Sequence, residues 1–162
     1  MKTATLHENN ASTIEWKTFA LGFTLGAAGS SDFSAAAINQ TFVLDQLQAG
    51  DIVLSHLVRV DHVKPVSHAA SWSVQVGVTG DTDRFIVNTD IKGNDLNGAT
   101  LVPSSATLAD LNPYVRANAA DIDLVAVVTV GSGNVSATTG GEIWITVPII
   151  RRTDRVTKRG SF

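Results

Sequence analysis

The 162-residue chain contains no cysteine, so a disulfide framework, a thiolate metal site and a cysteine nucleophile are excluded. Charged residues make up only 17%, against about 25% in an average soluble domain. No apolar run approaches the length of a membrane span, and the polar N-terminal ten residues lack the core of a signal peptide. We therefore expect a soluble protein that is made in the cytoplasm and does not enter a membrane.

The composition suits a sheet protein better than a helical bundle, which would contain more leucine, glutamate and lysine. Glycine, alanine, serine, threonine and valine are plentiful, which is typical of strands joined by small-residue turns. A chain of this length can bury a core of its own and is predicted to form one domain.

Alternation of apolar and polar residues, the period of a β-strand, recurs along the chain. The segments are Thr13–Phe19, Thr41–Leu47, Ile52–Val63, Trp72–Val78, Phe85–Asn88, Thr100–Val102, Asp121–Val130 and Glu142–Ile150. The best helix candidate is the short segment Ser104–Leu111. Seven or eight strands with almost no helix predict an all-β protein, an antiparallel β-sandwich that is jelly-roll-like and carries extended terminal arms.

Two prolines bear on the limits of the predicted strands. Pro65 is expected to end the strand Ile52–Val63. Pro148 cannot donate a ladder hydrogen bond, so its strand is either an edge or turns the missing N–H outward. The last two strands, Asp121–Val130 and Glu142–Ile150, are expected to form an antiparallel hairpin.

Apolar residues on a second strand face predict a subunit interface. The strand Asp121–Val130 becomes apolar on both faces around Val125 and Val127. Trp144 lies on the opposite parity from Ile143 and its fellow core positions, so it faces away from their core. A small domain with a second covered face is expected to be a homo-oligomer, and we place Trp144, Val125 and Val127 at its interface.

Charge divides the chain into an acidic body and a basic end. We expect an N-terminal arm over residues 1–11, a sandwich domain over 12–150 and a basic tail over 151–162. The tail holds five basic residues and one acid, a net of +4, whereas the whole chain carries −3. The five are Arg151, Arg152, Arg155, Lys158 and Arg159. They are predicted to reach a neighbouring subunit or another acidic surface, and a solvated tail without a partner is the alternative. Nucleic acid is the weakest option, because the tail has one aromatic residue for stacking.

Candidates for chemistry do not form a site in the sequence. The six-residue spacing of His56, His62 and His68 suggests a metal site, but His56 and His62, if they share one strand, lie about 20 Å apart and cannot hold one ion within a chain. A histidine cluster at a symmetry axis is the alternative. Asp81 and Asp83 fit an Asx turn or, alternatively, a calcium site at an interface. We predict no catalytic residue, no metal and no cofactor.

The three tryptophans Trp16, Trp72 and Trp144 leave two interpretations open. They are expected in the core or at an interface, because each lies in or beside an apolar alternation. The alternative is a platform on which sugars or bases stack.

Several short segments, in this order, resemble a family of virion proteins. They are Ala49–Val53, Trp72–Gly77, Gly80–Phe85, Ala119–Leu124 and Gly141–Ile145. The order resembles small virion proteins of tailed bacteriophages, namely capsid decoration (cement) proteins and other small head-associated proteins, over about residues 45–150. The resemblance implies a homotrimer on the capsid exterior that binds the major capsid protein or other virion proteins and catalyses nothing. A carbohydrate- or receptor-binding module is the alternative function.

Overall fold

The computed structural model of the chain describes residues 13–22, 32–68, 70–92, 100–101, 113–115 and 120–151. Its strands are β1 (Thr13–Gly22), β2 (Asn39–Leu47), β3 (Ile52–Val53), β4 (Arg59–Ser67), β5 (Trp72–Val78), β6 (Asp81–Asp90), β7 (Thr100–Leu101), β8 (Tyr114–Val115), β9 (Ile122–Val130) and β10 (Gly140–Arg151). Helical structure in these ranges is limited to single 3-10 turns at Ser55–Leu57 and Val135–Ala137. The predicted arm 1–11 and the helix candidate Ser104–Leu111 lie outside the described residues.

The described strands form two antiparallel sheets. The four-stranded sheet has the order β2-β9-β5-β6. In the six-stranded sheet β10 is central. β1 lies along one of its edges, β4 and then β3 lie along the other, and β7 and β8 lie outside β4 and β3 respectively.

The predicted all-β sandwich is confirmed. The described ranges hold ten strands rather than seven or eight, because the predicted strand Ile52–Val63 forms two strands and because β8, with two residues, is too short to show alternation. The jelly-roll connectivity stays a prediction.

The core lies between the two sheets. From β10 it receives the four side chains that alternation predicts, all 0% exposed: Ile143, Ile145, Val147 and Ile149. Trp72 on β5 is also fully buried and meets Phe33 edge to face at 5.3 Å between ring centroids. One face of each sheet thus supplies a continuous apolar interior.

The predicted hairpin of the last two strands is wrong. β9 lies in the four-stranded sheet, where β2 takes one of its edges and β5 the other. The chain then crosses to the six-stranded sheet through a loop that Val135, 0% exposed, anchors in the core. Alternation shows which face of a strand is buried but does not show which sheet the strand joins.

The predicted strand Ile52–Val63 is also wrong as a single element. The 3-10 turn Ser55–Leu57 divides it into β3 and β4, which both pair with β10. Pro65 does not end β4 but lies inside it, near a register shift between β4 and β10. A proline is tolerated there because the ladder is already interrupted.

Pro148 lies in a central strand and still breaks no ladder. Its carbonyl accepts a hydrogen bond from the backbone N–H of Leu54 at 3.1 Å. In an antiparallel strand the N–H and C=O of one residue point to the same side, so the missing N–H also faces Leu54. That side is the gap between the β4 pairing, which ends at Thr146, and the β3 pairing, which begins at Ile149.

Neighbouring residues of β10 test the assignment of its two faces. We expect Ile145→Ala to lower the free energy of unfolding by about 2–5 kcal/mol, because it opens a cavity in the core. Trp144→Ala, one position away and exposed, should cost less than about 1 kcal/mol. Urea denaturation measures both variants, and equal losses would contradict the assigned faces.

Candidate interaction surface

Large apolar side chains are exposed on the outer face of the six-stranded sheet. The register pairs Trp16 with Pro148 and Trp144 with Ala20, so both indoles lie on the side away from the core. Trp16 is 58% exposed and Trp144 is 42% exposed, and Ile14 on the same face is 48% exposed. We call Ile14, Trp16 and Trp144 the tryptophan face.

Polar groups around the tryptophan face are bonded to one another. The Trp144 Nε1–H donates to Glu142 at 2.6 Å, and Glu142 also forms a salt bridge with Lys64 across the β10–β4 pair. The hydrogen bond from Lys64, followed by that from Trp144, lowers the pKa of the Glu142 carboxyl below its usual value. Glu142 therefore orients the indole of Trp144 and keeps its own charge paired.

Trp144 faces away from the core, as its parity predicts, and Trp72 is buried in the core. Trp16 is exposed because β1 turns its charged face inward: Glu15 and Lys17 are half-buried at the edge of the sandwich. Amphipathic alternation alone favours the apolar face as the buried one, so it gives no signal for this arrangement. The cause is a set of partners that only the fold brings together.

Those partners form a charged cluster around Arg151, where β1 and β10 of one sheet approach β2 of the other. The guanidinium bonds to Asp51 at 2.9 Å, to Glu15 at 3.3 Å and to Asp45. Lys17 bonds to Asp45 at 2.7 Å. We call these five residues the Arg151 cluster; it closes the sandwich at this edge with paired charges in place of apolar contacts.

Arg151 differs from the other basic residues at the C-terminal end. It ends strand β10, and its side chain is 23% exposed. Its guanidinium is paired within the domain with three carboxylates. The remaining basic residues predicted for contacts, Arg152, Arg155, Lys158 and Arg159, lie outside the described residues.

The second predicted interface strand faces outward on the four-stranded sheet. On this face Val125 is 2% exposed, Val127 is half-buried, and Val43, directly opposite Val125 on β2, is 64% exposed. Val43 therefore leaves more apolar area to a partner on this side than Val125 or Val127 does. The assignment of Val125 and Val127 to a subunit interface stays a prediction.

The metal candidates have other roles where the structure describes them. His68 is buried; its Nδ1 accepts from the Ala70 N–H at 3.1 Å and its Nε2 donates to the Asn134 carbonyl at 3.2 Å. Asp81 pairs with Arg84 at 3.2 Å. Across the described ranges no group of three potential ligands is close enough to hold an ion. His56 lies on a 3-10 turn and not in a strand.

The fold can be compared with proteins of known structure. No protein-family model and no curated protein matches the sequence. A chain of the structure titled "Cyanophage Pam1 capsid asymmetric unit" is similar with a TM-score of 0.54 at 11% identity, over 93% of each chain. A chain of "Acidic stable capsid structure of Helicobacter pylori bacteriophage KHP30" aligns at a TM-score of 0.48 and 15% identity, over 84% of this chain and 87% of that one.

The chain is thus an all-β sandwich with the fold of a chain in a phage capsid structure. The resemblance to phage virion proteins is confirmed at the level of the fold. In the described ranges no helix is both long and apolar enough to cross a bilayer.

The Arg151 cluster makes stability depend on pH in acid. Burial alone would raise the pKa of Asp45, but the hydrogen bonds from Lys17 and the Gln46 N–H and the charge of Arg151 outweigh it and lower that pKa. A lowered folded-state pKa stabilises the protein above the unfolded value, about 3.9, and this contribution is lost as the pH falls through the folded pKa.

We therefore expect Asp45→Asn to be less stable than the parent at neutral pH and to lose less stability on acidification below about pH 5. Urea midpoints measured across this range check it. Asp83→Asn, the same change at an exposed position of β6, is the control and should follow the parent. Parallel pH profiles for Asp45→Asn and the parent would show that Asp45 contributes nothing to the acid dependence.

Proposed function

We propose that the protein is a structural virion protein of a tailed bacteriophage that binds and stabilises the capsid exterior as a decoration, or cement, protein. The observation that carries the proposal is the fold shared with a chain of a phage capsid structure over 93% of both chains. The resemblance of short sequence segments to the same class of proteins supports it from a separate direction.

The tryptophan face supplies a surface suited to attachment. Trp16 and Trp144 present two large side chains on one face of a sheet, and tryptophan is among the residues that contribute most to protein interfaces. The charges beside Trp144 are already paired, because Lys64 is bonded to Glu142. A partner covering this face would therefore bury apolar area without stripping water from an unpaired charge.

The basic residues after β10 add an electrostatic contribution in this proposal. With Arg151 held inside the domain, Arg152, Arg155, Lys158 and Arg159 remain for an acidic surface of the major capsid protein or another virion protein. In this proposal their attraction acts mainly on the rate of encounter and is screened by salt.

A carbohydrate- or receptor-binding module is the second candidate, and the exposure of Trp16 and Trp144 on one face favours it. Sugars stack on exposed aromatic rings, and the two positions lie four residues apart along adjacent strands, about 13 Å. This function would be selected if the protein binds a glycan, if this binding requires both tryptophans, and if the protein does not bind to particles.

Binding to particles separates the two candidates. We expect purified protein to co-sediment with capsids that lack it, and Trp16→Ala and Trp144→Ala each to weaken this binding about tenfold or more. Val87→Ala on β6 is the matched control, because Val87 is a comparably exposed apolar residue of the other sheet. Unchanged occupancy for both tryptophan variants would remove the tryptophan face from the attachment surface.

The proposal includes a homotrimer, a number that comes from the resemblance to decoration proteins. Sedimentation equilibrium at micromolar concentration should then give three times the 17.0 kDa mass of one chain. A species of 17.0 kDa under these conditions would refute self-association in solution.

A further inference from the structure

Strand β1 is an edge of the six-stranded sheet, with β10 on one side and no strand of the described chain on the other. Gly22 shows which residues turn their backbone outward: its N–H donates to the Asp32 carboxylate at 2.9 Å, and its C=O accepts from the Asp32 N–H at 3.2 Å. Because the direction alternates along a strand, Ile14, Trp16, Thr18 and Ala20 also point their backbone N–H and C=O away from β10.

We propose that this edge pairs with β1 of a second copy of the chain, antiparallel, across a twofold axis at Trp16. In this register Trp16 lies opposite Trp16 of the second copy, and Ile14 lies opposite Thr18. Both pairs join residues whose backbone groups point outward, so the hydrogen bonds of the new ladder can form. The two six-stranded sheets then become one continuous sheet.

The charges of Glu15 and Lys17 favour this register over the registers shifted by two residues. This register places Glu15 opposite Lys17 of the second copy, and Lys17 opposite Glu15. Sliding one strand by two residues keeps the backbone bonds but places Glu15 opposite Glu15, or Lys17 opposite Lys17, and like charges directly opposite each other destabilise a strand pair.

Inward charges on an edge strand ordinarily oppose pairing with another molecule. Here each inward charge has a partner in the Arg151 cluster and meets a further opposite charge across the axis. The side chains of Glu15 and Lys17 are 42% and 32% exposed, so they are accessible to the second copy. The pairing also brings the exposed indoles of two Trp16 residues side by side. The surface is therefore self-complementary in backbone, charge and apolar area.

The paired edge is small, so the contact is expected to be weak between free chains and stronger between copies held together on a shell. It joins copies two by two and does not depend on the proposed capsid attachment. A trimer formed through another surface could still make this contact with a neighbouring trimer.

Disulfide trapping tests the register directly, because the chain has no cysteine of its own. In the full-length protein Trp16→Cys places two thiols on directly opposite residues about 5.5 Å apart between Cα atoms, within the range of a disulfide. Thr18→Cys is the control: the two Thr18 positions lie about 13 Å apart in this register, beyond that range.

We expect oxidised Trp16→Cys to run on a non-reducing gel at twice the 17.0 kDa chain mass and Thr18→Cys to stay at the chain mass. The double variant Ile14→Cys/Thr18→Cys, which retains Trp16, should also cross-link, whereas Ile14→Cys alone should not. A folded trimer in which neither Trp16→Cys nor the double variant cross-links would overturn the pairing and leave the proposed function standing. Cross-linking of Thr18→Cys as strong as that of Trp16→Cys would overturn the register.

Discussion

Strand β10 is the element on which the rest of the sandwich depends, because both of its edges are bonded. β1 lies along the whole of one edge, and β4 and β3 share the other with a gap at Pro148. Its inner face contributes four fully buried side chains to the core. Its outer face carries Trp144, and its last residue holds the Arg151 cluster. A single strand therefore joins the core, the exposed surface and the charged edge.

The Arg151 cluster explains why the tryptophan face exists. Glu15 and Lys17 find partners across the sandwich edge, so the charged side of β1 can turn inward. Because side chains alternate along a strand, the same choice turns Ile14 and Trp16 to the outside. An amphipathic strand ordinarily buries its apolar side, but β1 exposes this side to the outside. The exposed side of β1 lies on the same face of the sheet as Trp144. The tryptophan face and the charged edge of the sandwich thus both result from one orientation of β1.

The fold was predictable wherever alternation is long and bounded. The limits of β5, the inner face of β10 and the outward parity of Trp144 follow from the period of two alone. The neighbours of β9 were not predictable, because the period does not identify them: β2 and β5 occupy the edges of β9, and the expected hairpin with β10 does not form. The break between β3 and β4 was not predicted for another reason: the 3-10 turn at Ser55–Leu57 contains no glycine or proline that would mark it in the sequence.

The sequence by itself determined the all-β class, the absence of thiol chemistry and the inner faces of the long strands, because these depend on composition and on local periodicity. Only the tertiary structure decided which strands share a sheet, that Arg151 belongs to the domain, and that Trp16 is exposed. Each of these depends on residues far apart in the chain, such as Arg151 and Asp45, whose attraction acts only after the two sheets have packed together.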